Sequence, residues 1–344
     1  MTRRVMVLGG TGFLGWHVCS TFRAAGYGVV CVSRRGGWPG PADSGLSALR
    51  LDLDTAGDEF DRLLAATAPD VVVNAAGVVW RSTRAAENRM WALHAHFVDQ
   101  LVSAVAALPG TTRLIQLGSA HEYGPSTPGT STTEDESPSP RSVYGSTKLA
   151  GTRAVLRAAR AREIQAMVLR VANVIGPGAP RASLVGAVAH RLTGPSEAPE
   201  REGEPVELSL APLRDWRDFV DVRDVSAAVV AAADPARDVT GHIINIARGE
   251  AVPVRRLVET LISLSERPVR LVEQQSPGPD RTGRADLGWQ QLDVSRAQRL
   301  LAWRPAVSLE ASLADLLEST REGVPAGSPR GVNRRTSYFP PGRA

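Results

Sequence analysis

Short, nearly unbroken apolar runs alternate with amphipathic stretches through the first half of the chain. RRVMVLG (3–9), GVVCVS (28–33), ALRLDL (48–53), DVVVNAAG (70–77), TRLIQLGS (112–119) and AMVLRVAN (166–173) read as strands. Helical segments separate them: GWHVCSTFRAAG (15–26), a long stretch over about 86–108, and another over about 142–162. Strands that are apolar throughout belong in a parallel sheet covered on both faces. Right-handed crossovers then give a doubly wound α/β fold, with its ligand crevice at the strand carboxyl ends.

After about residue 175 the rhythm breaks. GPGAPRAS and TGPSEAPEREGEP are Gly/Pro-rich loops around one short helix. RDFVDVRDVSAAVVAAA (217–233) and HIINIA (242–247) read as a helix and strands returning to the main sheet. The expected organisation is a doubly wound α/β domain over 1–175, rejoined by 215–247. A smaller mixed lobe is expected from 176–214 and 248–322. Residues 323–344 have little apolar content and read as a disordered tail.

Composition narrows the class. A content of 43% hydrophobic and 22% charged residues suits a globular protein, and no apolar run reaches the roughly 20 residues of a membrane span. MTRRVMVLGG passes straight into a strand pattern without a cleavage site, so no signal peptide is expected. Cys19 and Cys31 form neither a disulfide pattern nor a metal pattern, so no metal is expected and a reducing cytoplasm is the expected location. The net charge is +4, but the arginines are dispersed and not interleaved with stacking aromatics. That argues against a nucleic-acid partner and leaves a positive balance that helps an anionic substrate arrive.

GGTGFLG places glycines at 9, 12 and 15, directly after the first strand and opening a helix. Gly9 permits the tight turn, Gly12 lets the backbone approach a pyrophosphate, and Gly15 allows close helix–strand packing. Thr11, Phe13 and Leu14 share this loop and belong to the expected cofactor cradle, which makes 1–175 the expected Rossmann-type dinucleotide-binding domain and the smaller lobe the expected substrate-binding one. The end of the second strand chooses the dinucleotide: an acid there binds the ribose of NAD, an arginine the 2′-phosphate of NADP. Ser33, Arg34 and Arg35 stand there without an acid, so NADP is expected over NAD. Asp52, followed by Leu53, can accept from the adenine amino group. Ala75, Ala76 and Gly77 complete the expected cofactor contacts.

Lys148 is the only lysine of the chain, although Lys and Arg together number 40. It lies four residues after Tyr144 on a helix starting near Ser142, so the two share a face. An ammonium beside a phenol favours the phenolate and brings the group toward use as a general acid or base. Lysine also gives compact, rotatable donors to ribose hydroxyls, which a planar guanidinium does not reproduce. Ser119 ends an apolar strand, where its hydroxyl points toward the crevice and can donate to a substrate carbonyl oxygen. Ser119, Tyr144 and Lys148 are therefore the expected catalytic residues, the last two also touching the cofactor.

Seven motifs occur in order: GGTGFLG, NAAG (74–77), GSAHEYG (118–124), YGSTK (144–148), RVANVIGPG (170–178), RDFVDVRDV (217–225) and DVSRAQRLLAWRP (293–305). Through them the chain resembles the extended short-chain dehydrogenases/reductases, the nucleotide-sugar epimerase, dehydratase and reductase group, over about 3–320. The resemblance implies Tyr144 as proton donor or acceptor, Lys148 as its tuner and ribose ligand, and Ser119 as the holder of the reacting oxygen. It implies that Asn173 and Arg217 contact the nucleotide diphosphate of the substrate. A late arginine usually joins them; Arg281 and Arg284 compete for that place, and Arg284 is the nearer to the pattern. Trp80 and Arg81 either meet the sugar or pack, and His121 either contacts substrate or lines its loop. His94 stands where the family carries the asparagine of a proton-relay water, which puts that role in question. The family commonly forms homodimers through the helices at 86–108 and 142–162.

Three chemistries share this scaffold. The family's dehydratases need an acid and a base one and two residues after the Ser/Thr, where this chain has Ala120 and His121; alanine carries no proton, so dehydration is not expected. Epimerases usually keep NAD bound, whereas a reductase consumes NADPH, and Ser33 with Arg34 tilts the balance toward reduction. GSAHEYG is also closer in form to the ketoreductases of deoxysugar pathways. The expected activity is NADPH-dependent reduction of a dTDP- or GDP-linked 4-keto-6-deoxyhexose, with Tyr144 as proton donor. The alternatives are an NAD(P)-dependent nucleotide-sugar 4-epimerase and a non-catalytic NADP-binding regulator, which would be expected to lose the Ser–Tyr–Lys set that this chain keeps.

Overall fold

The computed structural model describes residues 2–37, 46–78, 83–194, 205–274 and 288–323. The first half runs β1 (Arg4–Leu8), α1 (Phe13–Ala24), β2 (Gly28–Ser33), β3 (Leu46–Arg50), α2 (Asp58–Thr67) and β4 (Val71–Asn74). It continues through α3 (Arg84–Trp91), α4 (Phe97–Ala106), β5 (Arg113–Ser119), α5 (Val143–Arg160) and β6 (Gln165–Val171). The second half adds β7 (Asn173–Ile175), α6 (Leu184–Thr193), β8 (Val206–Leu210), β9 (Trp216–Asp221), α7 (Val222–Ala232) and β10 (Ile243–Ile246). It closes with β11 (Ala251–Pro253), α8 (Val254–Ser265), β12 (Val269–Glu273), α9 (Ser295–Leu301) and α10 (Leu309–Arg321).

Seven strands form a parallel sheet in the order β10–β6–β5–β4–β1–β2–β3. The order reverses between β1 and β4, which opens a crevice at their carboxyl ends. The central strands are buried along their lengths because helices cover both faces. Val18 and Phe22 of α1 and Val225 and Val229 of α7 pack on one face. Phe60 and Leu64 of α2, Leu101 of α4 and Val155 of α5 pack on the other. A third core joins Leu192 of α6, Leu257 and Leu261 of α8, and Leu313 and Leu316 of α10. This lobe carries a three-stranded sheet, β11–β9–β7, and a parallel pair, β12–β8. Among the described residues no helix is long and apolar enough to cross a membrane.

Several boundaries differ from the sequence reading. The third strand lies at 46–50, earlier than 48–53, and the N–H of Leu51 makes the last bond to β2, donating to Ser33 O at 3.0 Å. The helix expected over 86–108 is α3, a π turn at Ala92–His96, and α4. Of the stretch expected to return to the main sheet, α7 and β10 do so, whereas β9 pairs with β7 and β11. The strand beside β6 is β10, Ile243 opposite Val168, while β9 lies between β7 and β11 in the smaller sheet. The tail beyond residue 323 lies outside the described residues.

Candidate active site

Gly9 leaves β1 with φ +77°, and its N–H and that of Gly10 donate to Val32 O at 2.8 and 3.1 Å. A Cβ at Gly9 would stand 2.8 Å from Ala76 Cα, and one at Gly15 only 2.2 Å from Gly9 O, so neither position admits a side chain. Gly12 differs. It is exposed at the N-terminus of α1, and a Cβ there would meet only Gly9 O, at 3.2 Å. Its open backbone, half-buried Thr11, Phe13 and Leu14 around it, and a first helical turn without acids suit an incoming anion.

At the end of β2, Ser33 is buried and its hydroxyl has no hydrogen-bond partner among the described residues. A buried orphan hydroxyl fits a site that a ligand completes. Arg34 and Arg35 follow it at the surface. Leu53 is buried, while Asp52 is partly exposed, with Arg89 of α3 3.6 Å from its carboxylate and 2.7 Å from that of Asp54. Arg89 escaped the sequence reading because helix α3 reaches the loop from 35 residues away. Asn74 steadies the Ala75–Gly77 turn: its Oδ1 accepts from Ala76 N at 3.2 Å and its Nδ2 donates to Gln116 Oε1 at 2.9 Å. The glycine cradle and the orphan hydroxyl together fit a dinucleotide.

The structure brings Ser119, Tyr144 and Lys148 together. Ser119 ends β5, and the other two ride on the start of α5, where Ser142 caps the helix by accepting from Gly145 N at 3.1 Å. The Ser119 side chain hydrogen-bonds Tyr144, and Lys148 Nζ donates to Leu117 O at 3.0 Å. Burial pushes the Tyr144 phenol up to about 12, against the lowering effect of the Ser119 hydrogen bond and with a further upward push from Glu122. An ammonium one turn away was expected to move the phenol down; desolvation moves it the other way. Burial also pulls Lys148 down to about 8, with Glu122 opposing.

His94 projects from the π turn into this group. Its Nδ1 lies 3.0 Å from Thr147 Oγ1, which itself donates to Tyr144 O at 3.0 Å. Val78 N donates to its Nε2 at 3.4 Å. These partners assign the proton to Nδ1, and burial, helped by Lys148, drives the ring down to about 2, so it is neutral. Thr147, the fourth residue of YGSTK, was not singled out from sequence. His121 also stands edge-on to Tyr144, at 5.7 Å, and burial with nearby Arg217 lowers it to about 4. It therefore faces the site.

Arg217 is buried on β9, donating to Asp215 Oδ2 at 2.5 Å and to Trp216 O at 3.0 Å. Asn173 on β7 donates to Asp218 O at 2.9 Å and to Gln290 Oε1 at 2.7 Å. Gln290 lies in no sequence pattern and became visible only through this contact. Trp80, Arg81, Arg281 and Arg284 lie outside the described residues.

A model of the NAD dependent epimerase/dehydratase family matches residues 5–247. A dTDP-6-deoxy-L-talose 4-dehydrogenase (NAD(P)(+)) of Kitasatospora kifunensis is 39% identical over 317 residues, 91% of this chain and 94% of its own length. The GDP-6-deoxy-D-mannose reductase of Pseudomonas aeruginosa is 24% identical over 327 residues, 94% of this chain and 99% of its own length. Among solved structures, MoeE5 in complex with UDP-glucuronic acid and NAD superposes with a TM-score of 0.78 at 27% identity, covering 93% of this chain and 100% of that one.

Proposed function

The chain belongs to the NAD dependent epimerase/dehydratase family, an NAD(P)-dependent enzyme of nucleotide sugars, and from that premise we propose that it reduces a nucleotide-linked 4-keto-6-deoxyhexose with NADPH. The observation that carries this reading is the neighbourhood of Ser119. The Ser119–Tyr144–Lys148 set is assembled, while the adjoining Ala120 has no proton to give to a dehydration. The K. kifunensis relative supports it, because 4-dehydrogenation of a 6-deoxysugar is the same interconversion run toward the ketone. The buried Ser33 hydroxyl beside Arg34 and Arg35, with no acid at the end of β2, supports NADPH over NADH.

A bound nicotinamide supplies the hydride. The Ser119 hydroxyl donates to the ketone oxygen and holds it in place. Tyr144, kept protonated at neutral pH by a pKa of about 12, gives its proton to that oxygen as negative charge develops there. Lys148, with a pKa of about 8, is still largely protonated at pH 7 and supports the phenolate left behind. It also presents donors toward the ribose. Neutral His94 holds Thr147 and through it the first turns of α5. Arg217 and Asn173 face the substrate diphosphate, with His121 beside them. A second copy of the chain docks through the helices at 86–108 and 142–162, in a cytoplasmic homodimer; a monomer in sedimentation would remove that assignment.

The test is NADPH consumption with a dTDP- or GDP-4-keto-6-deoxyhexose, NADH run in parallel, and oxidation of dTDP-6-deoxy-L-talose with NADP⁺ as the reverse assay. Net NADPH oxidation is expected, and Tyr144→Phe should lower it by roughly 10²–10⁴-fold while cofactor binding persists. Sugar isomerisation without net cofactor change would make the protein a 4-epimerase. Undiminished turnover in Tyr144→Phe would sink the catalytic assignment.

A further inference from the structure

Glu122, three residues beyond Ser119, has a side chain with 0% exposure. Its Oε1 accepts from the Ser119 backbone N–H at 2.8 Å, and its Oε2 accepts from Arg170 Nε at 2.8 Å. Two accepting oxygens, one of them from a guanidinium, are the bonding pattern of an ionised carboxylate. Gly118 makes the approach possible, since a Cβ there would stand 2.6 Å from Oε1. With the Ser119 hydroxyl capping the same turn, Glu122 closes a reciprocal box over Ala120–Glu122. A structural cap needs no buried charge, however. Gln can accept from the same N–H.

The charge has neighbours that use it. On β6, Arg170 pairs with it and lies over the Tyr123 ring at 4.4 Å, while the Tyr123 hydroxyl donates to Asn245 on β10. On α5, both Tyr144 and Lys148 feel the Glu122 carboxylate, which raises each of them. A negative charge in that place favours the phenol over the phenolate and the ammonium over the amine. Those are the two forms that reduction uses.

We propose that Glu122 is a positioning residue of the Ser119–Tyr144–Lys148 site, a buried carboxylate that fixes Ser119 through its main chain and sets a standing negative charge behind the phenol and the ammonium. The proposal rests on the catalytic reading above, so its deciding measurement is made without turnover. Because Lys148 is the only lysine, protein labelled with [¹⁵Nζ]lysine reports one side-chain amine, which is titrated by NMR. Wild type is compared with Glu122→Gln and with the double variant Glu122→Gln/Arg170→Met. Glu122→Gln removes the negative charge alone, whereas the double variant removes a neutral pair and serves as the control for packing.

In Glu122→Gln Lys148 is expected to titrate about half a pH unit or more below its wild-type value, and by less in the double variant, where the opposing Arg170 charge is gone as well. The alkaline limb of NADPH turnover should move down with it. An unmoved Lys148 titration in folded Glu122→Gln overturns the proposal and leaves the catalytic reading standing. If that variant does not fold, Arg170→Met decides: an unopposed Glu122 should raise Lys148, and an unmoved titration there overturns the proposal. Tyr144→Phe tests the catalytic reading by itself, since Glu122 contributes nothing to its outcome.

Discussion

Lys148 occupies a poor place for an ammonium. It is buried at 6% exposure, with Leu117 O accepting from it at 3.0 Å. The drop in its pKa from 10.5 to about 8 corresponds to a cost on the order of 3 kcal/mol at neutral pH. The sign follows from proton counts. Below about pH 8 native and unfolded chains both carry the proton, and the native state bears the full penalty. Between about 8 and 10.5 only the unfolded chain keeps it, so stability from this residue rises with pH; above 10.5 the penalty is gone. Lys148→Met, similar in length and uncharged, should therefore raise unfolding free energy by about 1–3 kcal/mol at pH 7 while removing turnover. Denaturant unfolding at pH 7 and above pH 10.5 checks this. An equal gain at both would show that the effect is not ionic. Lys148 was legible in the sequence because it stands alone and one turn from Tyr144. Glu122 was not legible, since Arg170, the partner that gives it meaning, arrives 48 residues later on another strand.

At the scale of elements, the feature that shapes the site is the π turn at Ala92–His96. One extra residue in a turn barely alters an apolar face, so the periodicity gave the extent of the helical course without its interruption. The turn swings His94 toward Tyr144, with ring centroids 5.6 Å apart, and presents its carbonyl to α5. Gly151 receives it: a Cβ there would stand 2.2 Å from His94 O. Gly151→Ala must push α5 away from the turn, at a cost of about 1–3 kcal/mol for overpacking. Tyr144 and Lys148 ride on the displaced helix, so kcat should fall as well. Thermal unfolding and steady-state kinetics together check the prediction; lost stability with unchanged kcat would detach the helix contact from the site. The same limit applies to β9. Its apolar pattern was plain, but a pattern names no partner, and β9 pairs with β7 and β11 while β10 takes the place beside β6.

Over the whole molecule, the motif RDFVDVRDV ties the sheet to the lobe through acids three residues apart. Asp218 accepts from the N–H groups of Arg248, Gly249 and Leu292 at 2.9, 3.1 and 3.2 Å, and Asp224 from Ala306 and Val307 at 3.1 and 3.0 Å. Burial still pushes these carboxyls up, to about 7 and about 6. The motif was visible in the sequence, whereas loops 30 to 83 residues further on that it anchors were not. Between these acids, Asp221 has a side chain with 0% exposure, caps α7 through Arg223 N at 2.7 Å, and binds the Arg223 guanidinium with both oxygens at 2.8 Å. Arg223 reaches on to Asp315 of α10 at 2.6 Å, but that carboxylate is 37% exposed. The two partners therefore differ in weight. Arg223→Met leaves the Asp221 charge buried without its counter-ion and should cost about 3–5 kcal/mol. Asp315→Asn keeps the inner pair and loses a solvent-screened contact, so its cost should stay within about 1 kcal/mol. Urea unfolding followed by tryptophan fluorescence compares them, Trp16 reporting from α1 and Trp303 from the segment after α9. A single transition shifted strongly in Arg223→Met and weakly in Asp315→Asn is the expected result. Equal losses would move the weight to the bridge into α10, making the contact with the lobe, not the buried carboxylate, the part that holds this junction.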